Sequence, residues 1–336
     1  MRNAVVAGMR PRTLPVGIAP VIVGACAAWR EIRMLDAPAS CLMGWFFAAT
    51  AICLGVSVGL QIAANFANDY SDGIRGTDTA RSGDESATGK PRRMVASGLM
   101  GPRRVLMCAA VFAVAACACG AVAAWWSQAW WLIAFGVACL LAGWFYVGGK
   151  HPYGYHGWGE VFVFLFFGLA ATAGSQYVIA RTVMVRSLLA APVSRVYMLS
   201  MWPSLGPVVP ASWGTTWLGW LSATVVGLNA VAVLMVNNLR DVDDDRVSGK
   251  RTLEVILGRL RSWDLLIGVC AVATIMSFEV ASYEAWWWGL AAGLLLPAAQ
   301  AWLLVSVKRG DYRSALAAAS HAALVFAALD VLWIIV

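Results

Sequence analysis

Charged residues are scarce in this chain. Only 13% of its 336 residues are Asp, Glu, Lys or Arg, whereas 60% are hydrophobic and the mean hydropathy is +0.70. Soluble domains carry about 25% charged residues, so this composition excludes an ordinary soluble enzyme. It predicts an integral membrane protein instead.

The usual sequence signals of zinc sites and multidomain proteins are also missing. The three histidines and eight cysteines show no paired CxxC spacing, which excludes a zinc finger. No low-complexity tract or soluble linker interrupts the chain, so we predict a single domain over residues 1–336. The net charge of +7 does not indicate nucleic acid, because membrane topology explains basic residues beside apolar spans, and we predict no nucleic-acid partner.

Long apolar runs predict an all-α, polytopic membrane bundle of nine transmembrane helices, since one span needs roughly 20 apolar residues. The predicted spans are residues 12–29, 41–66, 103–125, 129–147, 160–181, 215–239, 263–282, 285–306 and 314–335. Pro15, Gly17 and Pro20 interrupt the first run, so we interpret it as a span and not as a cleaved signal. Residues 182–214 contain Arg186, Arg195 and several prolines and glycines, which argue against an unbroken span, and we interpret them as an external loop.

The basic residues indicate the orientation of the bundle, because Lys and Arg concentrate in cytoplasmic loops. Nine spans and a cytoplasmic N-terminus place most of the 25 basic residues inside and leave outside only Arg30, Arg33, Arg181, Arg186 and Arg195. We therefore predict a multi-pass protein of the cell membrane with cytoplasmic site loops and an external C-terminus. The lipid bilayer is one predicted partner.

A first row of polar side chains ends the second predicted span. Its members follow i, i+3, i+4 and i+7 spacing, which places them on one face of a helix. They are Asn65, Asn68, Asp69 and Asp72. Carboxylates at a membrane edge are costly, and a row of them is typical of an ion or substrate path.

A second row lies about half a chain later. Asn237, Asp241 and Asp245 share one face, whereas Asp243 and Asp244 point elsewhere and are interpreted as solvated. Magnesium prefers carboxylate oxygens and usually completes its shell with water and phosphate. Two facing rows therefore predict magnesium ions bridged by a diphosphate.

Basic side chains near both rows are candidate diphosphate ligands. Arginine grips phosphate oxygens with a two-pronged fork, and lysine acts as a point charge. The candidates, with one nearby tyrosine hydroxyl, are Lys90, Arg93, Lys150, Arg240, Lys250, Arg251 and Tyr146.

These segments resemble the motifs of the UbiA-type intramembrane prenyltransferases. The matching segments are NFANDYSD at 65–72, YVGGK at 146–150 and NNLRDVDDDR at 237–246. RPRTLP at 10–15, GWGE at 157–160 and GKRTL at 249–253 are similar to the branch that acts on 1,4-dihydroxy-2-naphthoate. Many relatives have a third Asp in the first motif, and this chain has Gly76 there, with the next carboxylate at Asp78.

The resemblance implies Mg²⁺-dependent transfer of a polyprenyl group from a polyprenyl diphosphate to that aromatic acceptor, with decarboxylation. It implies that the metal ligands, which are also catalytic, are Asp69, Asp72, Asp241 and Asp245, and that Lys150 is catalytic too. The substrate-binding residues that it implies are Asn65, Asn68, Lys90, Arg93, Tyr146, Asn237, Arg240, Lys250 and Arg251.

Other functions stay open at this point. A UbiA-type enzyme with another acceptor, such as 4-hydroxybenzoate, would show the same two rows. A cation-coupled transporter would also use intramembrane carboxylates, but both rows lie at one predicted membrane face. A CDP-alcohol phosphotransferase would start its motif with Asp-Gly-x-x-Ala-Arg, and that segment is absent.

Overall fold

A computed structural model describes residues 2–33, 39–77, 93–149, 152–189, 214–283 and 286–335, and the secondary structure in these ranges is entirely helical. A π-helical turn, Phe164–Ala170, joins the helix Gly159–Val163 to the helix Ala171–Leu189. The helices are α1 (Arg2–Gly8), α2 (Leu14–Ile32), α3 (Ala39–Arg75), α4 (Pro102–Ser127), α5 (Trp131–Val147), α6 (Gly159–Val163), α7 (Ala171–Leu189), α8 (Trp217–Val247), α9 (Leu253–Ser282), α10 (Trp286–Lys308) and α11 (Tyr312–Ile335).

The nine predicted spans each correspond to helix in the described chain. Seven segments are long and apolar enough to cross a membrane, and two shorter apolar helices, Trp131–Val147 and Leu294–Lys308, fall at the fourth and eighth predicted spans. The all-α membrane bundle is therefore confirmed. The largest shifts are at α3, which continues to Arg75, and at α9, which already begins at Leu253.

The predicted external loop at 182–214 is partly wrong, because α7 continues as helix to Leu189. Arg186, which argued against a helix here, lies over the rings of Trp45 and Trp125 at 5.3 and 5.4 Å from their centroids. Such cation–π contacts allow a guanidinium on an otherwise apolar helix. Residues 190–213 lie outside the described ranges.

Helix α2 lies at the centre of the bundle and contacts α3, α7, α8 and α11. It is rich in Gly, Ala and Val, and small side chains let neighbouring backbones approach closely in a membrane. A Cβ at Gly24 would lie only 2.4 Å from the carbonyl oxygen of Thr172. Both halves of the chain therefore pack on one small-residue helix.

Apolar side chains are exposed on the outer helices α4, α5 and α9. Examples are Val114, Trp144 and Ile275, which are more than half exposed. In a bilayer such side chains contact lipid without cost, since lipid tails are as apolar as they are. The polar side chains of the bundle are therefore expected to face inward, and the acidic rows do so.

The end of the bundle remote from the acidic rows carries a buried ion pair. Arg30, near the end of α2, contacts Asp330 of α11 at 3.1 Å between the guanidinium and carboxylate. Asp69 and Arg10 meet near the start of α2, at its opposite end. Helix α2 is thus attached to neighbouring helices at both ends, and the candidate site occupies only one of them.

A close backbone crossing joins the π-helical turn to α8. A Cβ placed at Gly168 would lie 2.4 Å from the Cα of Gly227, and one at Gly227 would lie 2.7 Å from a ring carbon of Phe164. Only glycine fits at this contact without a backbone shift.

We expect Gly168→Ala to lower the thermal unfolding temperature of the purified protein, because the added methyl overpacks the crossing at a cost of about 1 to 3 kcal/mol. The matched control is Gly174→Ala, six residues later in α7, where a Cβ meets nothing within 4 Å. Equal unfolding temperatures for the two variants would contradict the close crossing.

Candidate active site

The carboxylate of Asp69 binds the backbone of the segment around Met94 and Val95. Its oxygens accept hydrogen bonds from the backbone N–H groups of Met94 and Val95, at 2.9 and 3.0 Å. The guanidinium of Arg10 lies 3.8 Å from the same carboxylate. Asp69 is only 2% exposed, so these donors replace the water that a carboxylate normally requires.

Asp72, one turn further along α3, gathers contacts from three segments. The ammonium of Lys250 lies 2.8 Å from Asp72 Oδ1, and the hydroxyl of Tyr155 donates a hydrogen bond to the same oxygen. The hydroxyl of Thr77 donates to it at 3.3 Å. Asp72 is therefore a buried carboxylate with one full countercharge.

Lys250 reaches Asp72 because the chain reverses directly after α8. Gly249 adopts a φ of 79°, a left-handed conformation that favours glycine. The backbone N–H of Lys250 then donates to the carbonyl of Asp245 at 2.8 Å, while its ammonium crosses to Asp72 and lies 4.7 Å above the Tyr155 ring. One residue thereby connects the two acidic rows.

In the second row, Asp241 and Asp245 are buried and Asp243 is exposed. Arg240 binds Asp241 with a fork, through Nε at 2.8 Å and through its terminal nitrogen at 2.7 Å. Asp243 pairs instead with Arg259 at the surface. The helical face expected from the spacing is thus the buried face.

The asparagines of the two rows have different roles. Asn65 is buried, and its amide donates to the carbonyl of Met9 at 2.9 Å and to the Thr13 hydroxyl at 3.1 Å. Asn237 donates to the carbonyl of Val233 within its own helix, and Asn68 is half-buried. Asn65 therefore positions the N-terminal segment against α3.

Several other predicted site residues are placed only in part. Lys90 and Lys150 lie outside the described ranges. Arg93 is half-buried, and Arg251 is exposed, with its backbone N–H donating to the carbonyl of Tyr155 at 3.0 Å. Tyr146 packs edge-on against Tyr153, with ring centroids 5.4 Å apart.

Two contributors to the site were missed by sequence reasoning. Arg10 begins the RPRTLP segment and Tyr155 lies in the loop after α5, and neither is among the site residues that the sequence predicts. Both act across long sequence separations, so no local spacing could have identified their partners.

Tyr155 is a permanent hydrogen-bond donor to Asp72. Burial raises its pKa, and the negative charge of Asp72 raises it further, because both disfavour a second anion at this place. The phenol therefore keeps its proton at neutral and moderately alkaline pH.

The carboxylates suit magnesium by their chemistry. Within the ranges that the structure describes, no three Asp, Glu, His or Cys side chains form one ready metal cluster. The rows instead offer one buried carboxylate pair each, Asp69 with Asp72 and Asp241 with Asp245. One or two carboxylates per ion, completed by phosphate oxygens and water, is the usual protein share of a magnesium shell.

A family model described as the UbiA prenyltransferase family matches residues 17–329, which include both rows. This chain belongs to the UbiA prenyltransferase family. Nearly the whole bundle described above is therefore the family fold, and both acidic rows and Lys250 lie inside the matched region.

Curated relatives of this chain share one name. It is 38% identical over 282 residues to the 1,4-dihydroxy-2-naphthoate octaprenyltransferase of Mycobacterium tuberculosis (strain ATCC 25618 / H37Rv), covering 84% of this chain and 79% of the relative. It is 32% identical over 309 residues to the protein of the same name in Escherichia coli (strain K12), covering 87% and 82%.

Solved structures of UbiA homologs share the fold. One from Aeropyrum pernix K1 has a TM-score of 0.62 at 14% identity, covering 95% of this chain and 97% of that one. One from Archaeoglobus fulgidus, bound to DMAPP and Mg²⁺, has a TM-score of 0.56 at 12% identity and covers 99% of both chains.

We expect Lys250→Met to lower prenyl transfer by about a hundredfold, because methionine keeps the length of the side chain but leaves the Asp72 carboxylate without its countercharge. The initial rate in membranes with matched protein levels measures this. Arg246→Met, an exposed position at the end of α8, is the control and should keep its rate. Equal rates would contradict the role of the Lys250 contact.

We expect Tyr155→Phe to lower the same rate by about tenfold, because Asp72 loses a buried hydrogen-bond donor while the aromatic ring stays. Tyr283→Phe, at an exposed tyrosine beyond the far end of α9, should have no effect. An unchanged rate in Tyr155→Phe would show that the phenol is dispensable.

Proposed function

We propose that this protein transfers a polyprenyl group from a polyprenyl diphosphate to 1,4-dihydroxy-2-naphthoate, with loss of carbon dioxide, in menaquinone biosynthesis. The family match and the shared name of relatives that align over most of the chain support this acceptor. The product would be demethylmenaquinol, the hydroquinone form of demethylmenaquinone. The names of the relatives specify an octaprenyl group, and our proposal is limited to a polyprenyl donor.

The observation that carries the proposal is the contact of Lys250, which follows one buried carboxylate pair along the chain, with the other pair. The Asp69–Asp72 pair ends α3, the Asp241–Asp245 pair ends α8, and the ammonium of Lys250, five residues after Asp245, lies 2.8 Å from Asp72. A site of mixed charge at one end of an apolar bundle fits a metal-bound diphosphate on a lipid tail.

Magnesium held by Asp69, Asp72, Asp241 and Asp245 would supply charge neutralisation for the diphosphate leaving group. The chain's own cations add to this. Lys250, Arg240 and Arg10 lie at the carboxylates and would bind phosphate oxygens. Residues Lys90, Arg93, Lys150 and Arg251 would contribute further donors, as the sequence predicts.

The reaction balances without an added oxidant or reductant. The C–O bond of the prenyl diphosphate breaks, and its electron pair leaves with the diphosphate. The resulting allylic cation bonds to the carboxylated ring carbon, and the carboxylate departs as carbon dioxide. Water would intercept such a cation, and we propose that apolar side chains of the bundle, such as those packed around α8 and near Phe66, would exclude it.

The orientation is part of the proposal. The chain is an integral membrane protein, and the basic loops favour a cytoplasmic N-terminus, cytoplasmic site loops and an external C-terminus. The acidic rows lie at the membrane edge that this orientation assigns to the cytoplasm, where a water-soluble acceptor and metal ions enter.

We expect purified protein with radiolabelled polyprenyl diphosphate and Mg²⁺ to convert 1,4-dihydroxy-2-naphthoate, and to lose this activity with a chelator, because the carboxylate pairs need a divalent cation to bind diphosphate. The parallel acceptor is 4-hydroxybenzoate. Its prenylation instead would keep the mechanism and change the acceptor. No product with either, from folded protein, would overturn the proposal.

We expect Asp69→Asn, Asp72→Asn, Asp241→Asn and Asp245→Asn each to lower turnover by about a thousandfold or more, because an amide is a poor magnesium ligand and carries no charge. Asp243→Asn is the matched control, since its side chain is 73% exposed and pairs at the surface. Near-normal turnover in two of the four would refute the two-pair arrangement.

A further inference from the structure

A buried pair of glutamates, Glu160 and Glu254, lies beside the candidate site and has no part in the reaction described above. Glu160 is the second residue of α6 and Glu254 the second residue of α9, and they are 6% and 0% exposed. The amide of Asn238 donates to Glu160 Oε1 at 2.9 Å. The other three carboxyl oxygens are buried and have no hydrogen-bond partner.

The two carboxyl groups cannot both be ionised at this burial without a compensating charge. They lie close enough to interact directly, and burial together with the neighbouring carboxyl group raises the pKa of Glu254. Among the described residues, no Lys, Arg or His lies within salt-bridge distance of either. One proton between the two groups would remove a charge and provide the missing donor.

Both glutamates immediately follow segments that contact Asp72. Glu160 comes five residues after Tyr155, and Glu254 comes four residues after Lys250. The backbone connection between Arg251 and Tyr155 joins these two segments directly. The pair therefore lies where two loops enter helices. The loop that carries Tyr155, called the Tyr155 loop, leads into α6, and the loop that carries Lys250, called the Lys250 loop, leads into α9.

The third member, Asn238, connects the pair to the second acidic row. It lies on α8, three residues before Asp241, and its amide contact with Glu160 attaches α8 to the start of α6. Tyr146 is within electrostatic range of Asp72 and of both glutamates, which places the pair next to the site.

We propose that Glu160 and Glu254 share one proton and act as positioning residues, which hold the Tyr155 loop, helix α8 and the Lys250 loop in the arrangement that surrounds Asp72. The proposal rests on the proposed function and deepens it. A proton fits this place better than a metal ion, because it needs no space and no third acidic ligand, and the described residues provide none.

The test compares Glu254→Gln with Glu254→Met. Glutamine carries a neutral N–H donor in place of the shared proton, whereas methionine has similar volume but no donor. Glu279→Met, an exposed position on the same helix, controls for the substitution itself. For each purified variant, kcat and the KM for polyprenyl diphosphate are measured together with the thermal unfolding temperature.

We expect Glu254→Gln to retain wild-type kcat and KM, and Glu254→Met to raise the KM for polyprenyl diphosphate by about tenfold, since the donor that orders the loops is lost. If Glu254→Gln raises the KM as much as Glu254→Met does, the proposal is overturned in favour of a bound cation or a charged base. Wild-type behaviour of Glu254→Met would overturn it in favour of simple packing.

Glu160→Gln provides a second test if Glu254→Met does not fold. Its carbonyl can still accept from Asn238 while its N–H donates to Glu254, so we expect near-wild-type kinetics, and a loss of tenfold or more would contradict the shared proton. If wild-type protein transfers no prenyl group, the proposed function fails separately. The unfolding temperatures alone then test the shared proton. Glu254→Gln should unfold at the wild-type temperature, and Glu254→Met should unfold at a lower one.

Discussion

Carboxylates buried in an apolar bundle require countercharge, and this requirement determines how the site end of the protein is arranged. Asp72 receives the ammonium of Lys250 from the other half of the chain, Asp69 receives the N-terminal Arg10, and Asp241 receives its neighbour Arg240. Because two of these cations come from distant segments, the charge balance itself brings the N-terminus, α3 and the end of α8 together. The proposed binding of the diphosphate involves the same side chains.

The two halves are not equivalent in how they balance charge. The α3 row depends on backbone N–H groups and on cations from elsewhere, whereas Asp241 of the α8 row binds an arginine one residue away. The α3 row therefore responds to the position of other segments. Movement of the Lys250 loop would change Asp72 directly, while the Arg240–Asp241 contact would stay within one helix.

Much of this arrangement could be predicted from the sequence, because span length and helical spacing are local properties. The nine apolar runs and the buried faces of both rows follow from them, and the break of α9 at Gly258, with a φ of 77°, does not. The partners of Arg10 and Tyr155, and the Glu160–Asn238–Glu254 cluster, arise from contacts over long sequence separations. The prediction of a loop at Arg186 was wrong because the aromatic partners of this residue are on other helices, where local spacing does not reveal them.

The way Asp69 binds its neighbours affects how substitution patterns at this site should be interpreted. Both of its oxygens accept main-chain N–H groups, so the side chains of Met94 and Val95 can vary without changing these bonds, and only proline would remove a donor. Asp69 itself has no such freedom. An alanine there removes a proposed metal ligand and also releases the chain segment around residue 94, so its phenotype combines a chemical defect with a folding defect.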